Sequence, residues 1–126
     1  MKTLIEKALE FRQLARAPYS NYQVGAAIQT KEGIIIGGCN IENASYSLSC
    51  CAERVTLFNA ISQGYTEFDA LAVATHNGAP PCGACRQVIW ELCGEIKIYL
   101  CDENGTITET SSKTLLPAAF DTNHLK

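Results

Sequence analysis

Cys51-Ala52-Glu53 and Pro81-Cys82-Gly83-Ala84-Cys85 bring three thiols and one carboxylate into two short segments of this chain. Each segment stands at the predicted start of a helix, where free backbone N–H groups and the positive end of the helix dipole favour thiolate over thiol. Thiolate is the form that binds zinc, and zinc with three protein ligands keeps its fourth position open for water. A glutamate two residues from the first ligand can move protons to and from that water. The pattern therefore predicts a hydrolytic zinc site carried by two helices.

Other interpretations of these cysteines stay open on the residues alone. Cys82 and Cys85 have the C-x-x-C spacing of a redox pair, although such a pair leaves Cys51 and Glu53 unexplained. A closed structural zinc site would need a fourth protein ligand, for which Cys50 is the available residue. Glu53 alone could be an acidic residue that stabilises the first turn of its helix. The remaining cysteines, Cys39, Cys93 and Cys101, lie in apolar elements and are expected in the core.

Arg54 is a candidate for balancing the charge of the predicted metal site. Three thiolates on a divalent ion leave a net negative charge, which would raise the pKa of a bound water molecule. A guanidinium that donates to the sulfurs would offset this charge. Arg54 follows Glu53 directly, and Arg86 follows Cys85 as a second candidate. The alternative for Arg54 is a solvent-exposed position on the helix.

Composition limits the classes of partner. The chain has 126 residues, of which 47% are apolar and 18% charged, which predicts one folded domain over residues 1–126. Its net charge is −3 and no run of Lys and Arg occurs, so a nucleic-acid polymer is not expected as a partner. A small neutral substrate fits this balance better.

The number of cysteines and the first residues of the chain indicate the cellular compartment of the protein. Seven cysteines are an odd number, and charged residues interrupt the start, Met1-Lys2-Thr3-Leu4-Ile5-Glu6-Lys7, so no secretory leader is predicted. No apolar stretch is long enough to span a membrane. We therefore expect reduced thiols in a cytoplasmic protein rather than a disulfide framework.

Apolar periodicity predicts alternating helices and strands. The predicted elements are a helix over 3–15, strands over 22–30 and 34–39, a helix over 51–63, a strand over 68–75, a helix over 82–93, strands over 96–101 and 106–110, and a short helix over 113–116. The first two strands form a hairpin, and the strand–helix–strand stretches in the middle imply a parallel portion that needs helices on both faces. The predicted fold class is α/β, a three-layer α/β/α sandwich with a mixed five-stranded sheet.

Taken together, these segments resemble the small, homotetrameric cytidine deaminases. The resemblance extends to Asn40-Ile41-Glu42-Asn43-Ala44, to Arg54 after Glu53, to Arg86-Gln87 after Cys85, to Ala17-Pro18-Tyr19-Ser20 with Val24-Gly25-Ala26-Ala27, and to Leu115-Leu116-Pro117 with Phe120. It covers nearly the whole chain in the same order.

The resemblance implies a reaction. One Zn²⁺ per subunit, bound by Cys51, Cys82 and Cys85, would activate water for attack on C4 of free cytidine or deoxycytidine, in pyrimidine salvage. Glu53 would take a proton from that water, pass it to N3 of the pyrimidine and then protonate the departing amine. The products would be uridine or deoxyuridine and ammonia.

The resemblance also assigns substrate contacts. Asn40 and Glu42 would bind the ribose 3′-hydroxyl, and Ala52 would contact the substrate. Tyr22 occupies the position of a stacking aromatic residue that is usually phenylalanine in the family. On spacing alone, Asn40 and Glu42 could instead make hydrogen bonds within their loop, and Tyr22 could be a core residue of a strand.

Two aromatic residues are implied to serve a neighbouring subunit. Phe120 matches an aromatic residue that reaches across a subunit interface, and Tyr46 would contact the sugar in a neighbour's pocket. Both imply a homotetramer whose neighbours complete each pocket. Packing within the loop is the alternative for Tyr46, and a place in the C-terminal core is the alternative for Phe120. The loop over 76–81 is shorter than usual in the family, so the pocket rim is expected to differ, and His76 is expected to be exposed rather than a metal ligand.

Three other functions compete with this one. A related deaminase could act on an antibiotic nucleoside such as blasticidin S, but the segment from Asn40 to Asn43 favours a sugar-binding enzyme. An editing enzyme on nucleic acid would need a basic groove. A zinc-stabilised binding module would unfold when its metal is removed, whereas a catalytic site would mainly lose activity.

Overall fold

The computed structural model describes residues 1–125. Its elements in chain order are α1 (Lys2–Arg12), β1 (Gly25–Thr30), β2 (Ile35–Cys39), α2 (Ala52–Ser62), β3 (Phe68–Ala74), α3 (Gly83–Cys93), β4 (Lys97–Cys101), β5 (Ile107–Ser111) and α4 (Ser112–Leu115). Short 3₁₀ turns cover Tyr46–Leu48 and Thr122–Leu125. The predicted order of helices and strands is confirmed.

The five strands form one mixed sheet in the order β2-β1-β3-β4-β5. β3 and β4 are parallel, with Ala70 opposite Lys97 and Ala74 opposite Cys101, while the other neighbours are antiparallel. Strand β3 reaches β4 through α3, which is the crossover that parallel strands require. The carboxyl ends of β3 and β4 therefore lie at the same edge of the sheet.

Side chains alternate between two cores on opposite faces of the sheet. In β3, Leu71 and Val73 pack in one cluster with α2 and α3, whereas the intervening Ala72 packs in the other cluster with α1. Small residues on the second face let α1 lie close: a Cβ on Gly25 would stand 2.1 Å from the Ala8 carbonyl oxygen. The predicted three-layer α/β/α sandwich is confirmed.

Two boundaries differ from the predicted ones by three residues, whereas the others agree within one residue. Helix α1 ends at Arg12 rather than at residue 15, and Leu14, within the predicted helix, is 65% exposed. Strand β1 begins at Gly25 rather than at Tyr22, because the Asn40 side chain occupies backbone groups of the preceding residues. Asn40 Oδ1 accepts from the Val24 N–H at 2.9 Å, and Asn40 Nδ2 donates to the Tyr22 carbonyl at 2.8 Å.

The cysteines outside the two opening segments differ in burial. Cys101 is buried in the α1-side core, and Cys93 packs partly buried against the opposite core. Cys39, at the end of β2, is only half-buried, so the prediction of a core position holds for it only in part. Over residues 1–125, no helix combines the length and the apolar character needed to cross a membrane.

Candidate metal centre and active-site pocket

The starts of two helices carry the three thiols. Cys51 is the N-cap residue of α2, Cys82 is the N-cap residue of α3, and Cys85 lies in the first turn of α3. Their Sγ atoms all lie within 4.8 Å of one another. The Sγ atoms of Cys51 and Cys82 are 4.0 Å apart, and those of Cys82 and Cys85 are 3.4 Å apart. The structure thus brings the three predicted ligands together.

The spacing of these sulfurs fits zinc. Thiolates bound at about 2.3 Å in tetrahedral directions lie roughly 3.8 Å apart, and the separations of 4.0 Å and 3.4 Å fall on either side of that value. Three soft sulfur donors are also the ligand type that zinc prefers over magnesium or calcium. Cys50 does not join the cluster; its backbone exchanges two hydrogen bonds with Ile41. Within residues 1–125, the cluster therefore offers three ligands, which would leave the fourth position of a zinc ion open.

Neighbouring groups give the thiols unequal acidities. A hydrogen bond with the Cys85 thiol and a further one from Arg54 lower the pKa of Cys51 to about 5, although burial opposes this change. The same bond to Cys51, together with burial, raises the pKa of Cys85. Cys51 is thus the first thiolate of the cluster, and binding of an ion to all three sulfurs releases the remaining protons.

The Glu53 carboxyl is buried beside the cluster. Its side chain lies in the first turn of α2, and the residue is 5% exposed. Burial raises the pKa of this carboxyl to about 7, and the nearby Cys51 thiolate acts in the same direction, while the Arg54 guanidinium opposes both. A carboxyl with this pKa can both accept and donate a proton near neutral pH.

Arg54 reaches the metal cluster, whereas Arg86 does not. Arg54 Nη2 donates to Cys51 Sγ at 3.5 Å, and Arg54 Nε is buried with no hydrogen-bond partner within residues 1–125. Arg86 instead donates to two carbonyl oxygens, those of Pro81 at 2.7 Å and Leu115 at 2.9 Å. Of the two arginines considered from the sequence, only Arg54 contacts a sulfur.

A cavity of about 390 Å³ opens above the cluster. Its walls contain seven of the predicted site residues and six residues that were not predicted. The predicted ones are Tyr22, Asn40, Glu42, Cys51, Ala52, Glu53 and, at the helix α3 side, Cys82; the others are Ser20, Val24, Val73, Thr75, Ala79 and Pro80. The carboxyl, the thiols and the loop residues thus face one pocket large enough for a small molecule.

Asn40 is tied to the backbone but keeps free hydrogen-bonding capacity. Its amide oxygen accepts from Val24 and its amide nitrogen donates to Tyr22, as described for the start of β1. An Asn side chain has two donor hydrogens and two acceptor lone pairs, so one of each remains. The loop role and a substrate role are therefore compatible for this residue.

Glu42 binds the turn that precedes the pocket. Its Oε1 accepts from the backbone N–H groups of Tyr19 at 3.0 Å and Ser20 at 3.1 Å, and its Oε2 accepts from the Ser20 hydroxyl. The hydroxyl bond is the largest cause that lowers the pKa of the Glu42 carboxyl, with the two backbone bonds acting in the same direction and burial against it. Glu42 is therefore an ionised acceptor at the pocket wall at neutral pH.

Tyr22 lies in the segment before β1 and lines the pocket. Its hydroxyl donates to Asn77 Oδ1 at 2.8 Å, and its ring stands edge-on to His76 with 5.3 Å between the ring centroids. It is therefore not the core strand residue that its position alone would favour. His76 is exposed and does not belong to the thiol cluster.

Tyr46 and Phe120 are not brought into the pocket of their own chain. Tyr46 is 66% exposed and lines a second cavity of about 260 Å³, which shares Asn40, Glu42 and Cys51 with the first. Phe120 is 56% exposed and stacks on His124 at 5.3 Å. Neither ring is packed in the core of the part of the chain that the structure describes.

Thr75 is a pocket residue that the sequence analysis missed. It directly follows β3, is 3% exposed and donates its backbone N–H to the Cys101 carbonyl at 3.1 Å. The signal was present in the sequence, because ligands of open α/β sheets bind beyond the carboxyl ends of parallel strands. Ser20, which binds Glu42, had no comparable signal beyond its place in a turn.

Comparison with known proteins gives a consistent result. A family model described as the cytidine and deoxycytidylate deaminase zinc-binding region matches residues 1–101. The chain is 51% identical over 120 residues to a cytidine deaminase from Halalkalibacterium halodurans, covering 93% of this chain and 91% of the relative. It is 46% identical over 128 residues to a cytidine deaminase from Sporosarcina psychrophila, covering 99% and 94%. The crystal structure of cytidine deaminase from Burkholderia pseudomallei superposes with a TM-score of 0.90 at 48% identity, covering 94% of this chain and 98% of the other.

Proposed function

The chain belongs to the cytidine and deoxycytidylate deaminase family, and from this we propose that it is a zinc-dependent hydrolase of free cytidine and deoxycytidine. Water and the nucleoside give uridine or deoxyuridine and one molecule of ammonia, a reaction of pyrimidine salvage. One domain over residues 1–126 carries the activity. The observation that supports this proposal most strongly is the pocket in which three clustered thiols and a buried carboxyl meet.

Cys51, Cys82 and Cys85 would hold the ion. When bound, zinc lowers the pKa of a coordinated water molecule from about 15.7 to about 7, which supplies a nucleophile at neutral pH. Arg54 donates to Cys51 Sγ and so withdraws part of the negative charge of the thiolates. The cluster lies at the pocket wall, so a nucleoside in the pocket lies beside it.

Glu53 is the proton carrier in this proposal. It accepts one proton from the attacking water and delivers it to N3 of the pyrimidine. It then takes the second proton from the hydroxyl added at C4 and delivers it to the exocyclic amine, so that ammonia leaves and the C4 carbonyl forms. The same carboxyl can do both because its pKa of about 7 leaves both protonation states populated at neutral pH. Ala52 is fully buried at the pocket wall between Cys51 and Glu53, where a small side chain leaves room for the base.

Asn40 and Glu42 bind the sugar in this proposal. The remaining N–H of Asn40 donates to the ribose 3′-hydroxyl, and the ionised Glu42 accepts from it. A free base would leave these groups without that partner, which costs binding free energy. The Tyr22 ring forms part of the wall against the pyrimidine.

Neighbouring subunits complete the pocket in this proposal, within a homotetramer. Tyr46 and Phe120 present large exposed rings that do not line the main pocket of their own chain. Tyr46 lies in a cavity that adjoins that pocket, which gives a neighbour a route to it. Exposed aromatic residues are enriched at subunit interfaces, which supports their use between copies of the chain.

The cytoplasm is the proposed compartment. All seven cysteines are free thiols, and three of them form the cluster. A reducing compartment keeps such thiols available for a metal, whereas an oxidising one favours disulfides.

A comparison of substrates by the zinc-loaded protein tests the proposal. Cytidine, deoxycytidine, free cytosine and blasticidin S are each followed by ultraviolet absorbance and by ammonia release. We expect turnover of both nucleosides and at least a hundredfold lower kcat/KM for cytosine, because a site with unpaired polar groups rejects an analogue that lacks their partner. Turnover of blasticidin S alone would contradict the assignment to free nucleosides and leave deamination standing.

A further inference from the structure

A chain of hydrogen bonds connects the segment before β1 to the loop after β3. The Tyr22 hydroxyl donates to Asn77 Oδ1 at 2.8 Å, and the Thr75 hydroxyl donates to the same oxygen at 3.3 Å. Thr75 Oγ1 in turn accepts from the Ala79 N–H at 3.1 Å. The Tyr22 and Thr75 hydroxyls are thus both donors, and Asn77 Oδ1 accepts both hydrogen bonds. Tyr22, Thr75 and Ala79 line the pocket, whereas Asn77 does not.

The loop that carries Asn77 is fixed at both ends. Thr75 is joined to the sheet through its N–H bond to Cys101, and Pro80 and Pro81 restrict the backbone before α3. Between them, Gly78 has φ +70°, a conformation that glycine adopts without strain. A short loop of this kind holds the Asn77 amide in one place.

Among residues 1–125, the Tyr22 side chain makes one hydrogen bond, and it lies at the far end of the ring. Its backbone N–H donates to Ser20 Oγ at 3.0 Å and its carbonyl accepts from Asn40, but the hydrogen bond that restrains the ring is the one from the hydroxyl to Asn77. The His76 ring stands edge-on to the Tyr22 ring and leaves the hydroxyl free for this bond. A phenylalanine at residue 22 would form the same wall without this restraint.

We propose that Asn77 is a positioning residue, which holds the Tyr22 ring against the pocket so that it is already arranged for the nucleoside base. This inference rests on the proposed function. A ring that is ordered before binding spares the substrate the entropy cost of ordering it. The thiols and Glu53 belong to α2 and to the start of α3, outside this hydrogen-bond chain. The effect therefore falls on binding of the substrate and not on the chemical step.

Four variants test this role by steady-state kinetics with cytidine. Asn77→Ala removes the acceptor and Tyr22→Phe removes the donor, and each is expected to raise KM by about two- to tenfold with kcat within about twofold, as expected for one net hydrogen bond. The double variant is expected to match the larger single effect, because both changes break the same bond. Asn77→Asp keeps an acceptor oxygen and is expected to restore a KM near that of the wild type.

A matched control variant and a second measurement distinguish a positioning role of Asn77 from a nonspecific effect of substitution on the protein. Asn104→Ala changes an exposed asparagine in the β4–β5 turn and is expected to leave both constants unchanged. Hydrogen exchange over residues 75–80 is expected to speed up in Asn77→Ala, because the Ala79 amide depends on the same chain of bonds.

The outcomes distinguish this inference from the function on which it rests. A wild-type protein that does not deaminate cytidine would contradict the proposed function, and the inference with it. An active wild type with an unchanged KM in Asn77→Ala, or with effects of Asn77→Ala and Tyr22→Phe that multiply in the double variant, would overturn the positioning role alone.

Discussion

At the residue scale, the surroundings of Cys51 and Glu53 shift the pKa values of these two groups in opposite directions. The Cys85 thiol and the Arg54 guanidinium lower the pKa of Cys51 to about 5, which favours a metal-binding thiolate. Burial raises the pKa of Glu53 to about 7, which favours a carboxyl that exchanges protons. Two residues apart in sequence, these groups are suited to different tasks, as is common where titratable groups do chemistry.

Arg54 is predicted to support zinc binding more than substrate binding. Arg54→Gln removes the donor to Cys51 Sγ and leaves the charge of the thiolates less compensated, so we expect zinc affinity to fall by about 10- to 100-fold. Arg54→Lys keeps the charge and is expected to lose less. Competition with a chromogenic chelator measures the affinity. An unchanged zinc affinity combined with a changed KM for cytidine would show that the charge argument is wrong.

Glu42 is predicted to stabilise the fold at pH values above the range in which its carboxyl titrates. Its pKa is lowered in the folded state, so the unfolded chain binds more protons around pH 4 and stability rises with pH through that range. Glu42→Gln is therefore expected to melt at a lower temperature than the wild type at pH 7, with the difference shrinking as the pH falls below about 4.5. Thermal unfolding at several pH values measures this, with Glu32→Gln as a control at an exposed turn. A difference that stays constant down to pH 3 would argue against the pKa shift as its cause.

The residues of the metal site could be predicted from the sequence, but the directions in which neighbouring side chains point could not. The grouping of Cys51, Cys82 and Cys85 could be predicted from their spacing in the sequence. Each lies at the start of a helix, where the backbone has a regular geometry. Arg54 and Arg86 were equally close in sequence to a ligand, and only packing directs Arg86 to two carbonyl oxygens. Asn77 had no signal, because its partner Tyr22 is distant in the chain.

At the element scale, the position of α2 depends on a close approach to β2. A Cβ on Gly38 would stand 2.5 Å from Thr56 Oγ1 and 2.9 Å from the Thr56 backbone nitrogen. The same helix begins at Cys51 and carries Glu53 in its first turn. Packing between a strand and a helix thus sets the place of the Glu53 carboxyl.

Gly38→Ala is predicted to destabilise the protein by about 1–3 kcal/mol, since the extra methyl group meets backbone that cannot move aside cheaply. We also expect a lower kcat, because α2 must shift with Glu53 on it. Thermal unfolding and steady-state kinetics measure the two effects. Gly83→Ala, where an added Cβ meets nothing within 4 Å, is the control for stability. Equal melting temperatures for the two variants would show that the α2–β2 contact tolerates expansion.

Elements were predicted well where periodicity alone decides them, and less well where a side chain intervenes. The hairpin, the parallel strand pair and the three main helices follow from apolar spacing. The start of β1 does not, because the Asn40 amide takes the backbone groups that a longer strand would use. The last residues predicted for α1 form an irregular turn with bonds from Gln13 to Glu10 and from Leu14 to Phe11 instead.

At the scale of the whole molecule, the site is predicted to need more than one copy of the chain. Phe120 and Tyr46 are exposed in the single chain and are proposed to complete a neighbour's pocket. Phe120→Ala and Glu53→Gln would then damage different parts of the same composite site. We expect each protein alone to be weakly active, and a mixture reassembled from separated subunits to regain activity. In mixed oligomers, an intact Glu53 and an intact Phe120 can meet in one pocket.

Sedimentation at assay concentration accompanies this mixing experiment. Full activity from a monomer would contradict shared pockets. A reassembled mixture with only the average of the two separate activities would do the same, provided that sedimentation shows mixed oligomers.

The most direct test of the central claim follows the ultraviolet spectrum of cytidine with zinc-loaded wild type and with zinc-loaded Glu53→Gln. The account predicts conversion to uridine by the wild type and a loss of about 10²- to 10⁴-fold or more in the variant, which keeps its zinc and its fold. Glu91→Gln, at an exposed residue of α3, is the matched control and should convert cytidine normally. A Glu53→Gln protein that holds zinc and converts cytidine at the wild-type rate would contradict the account.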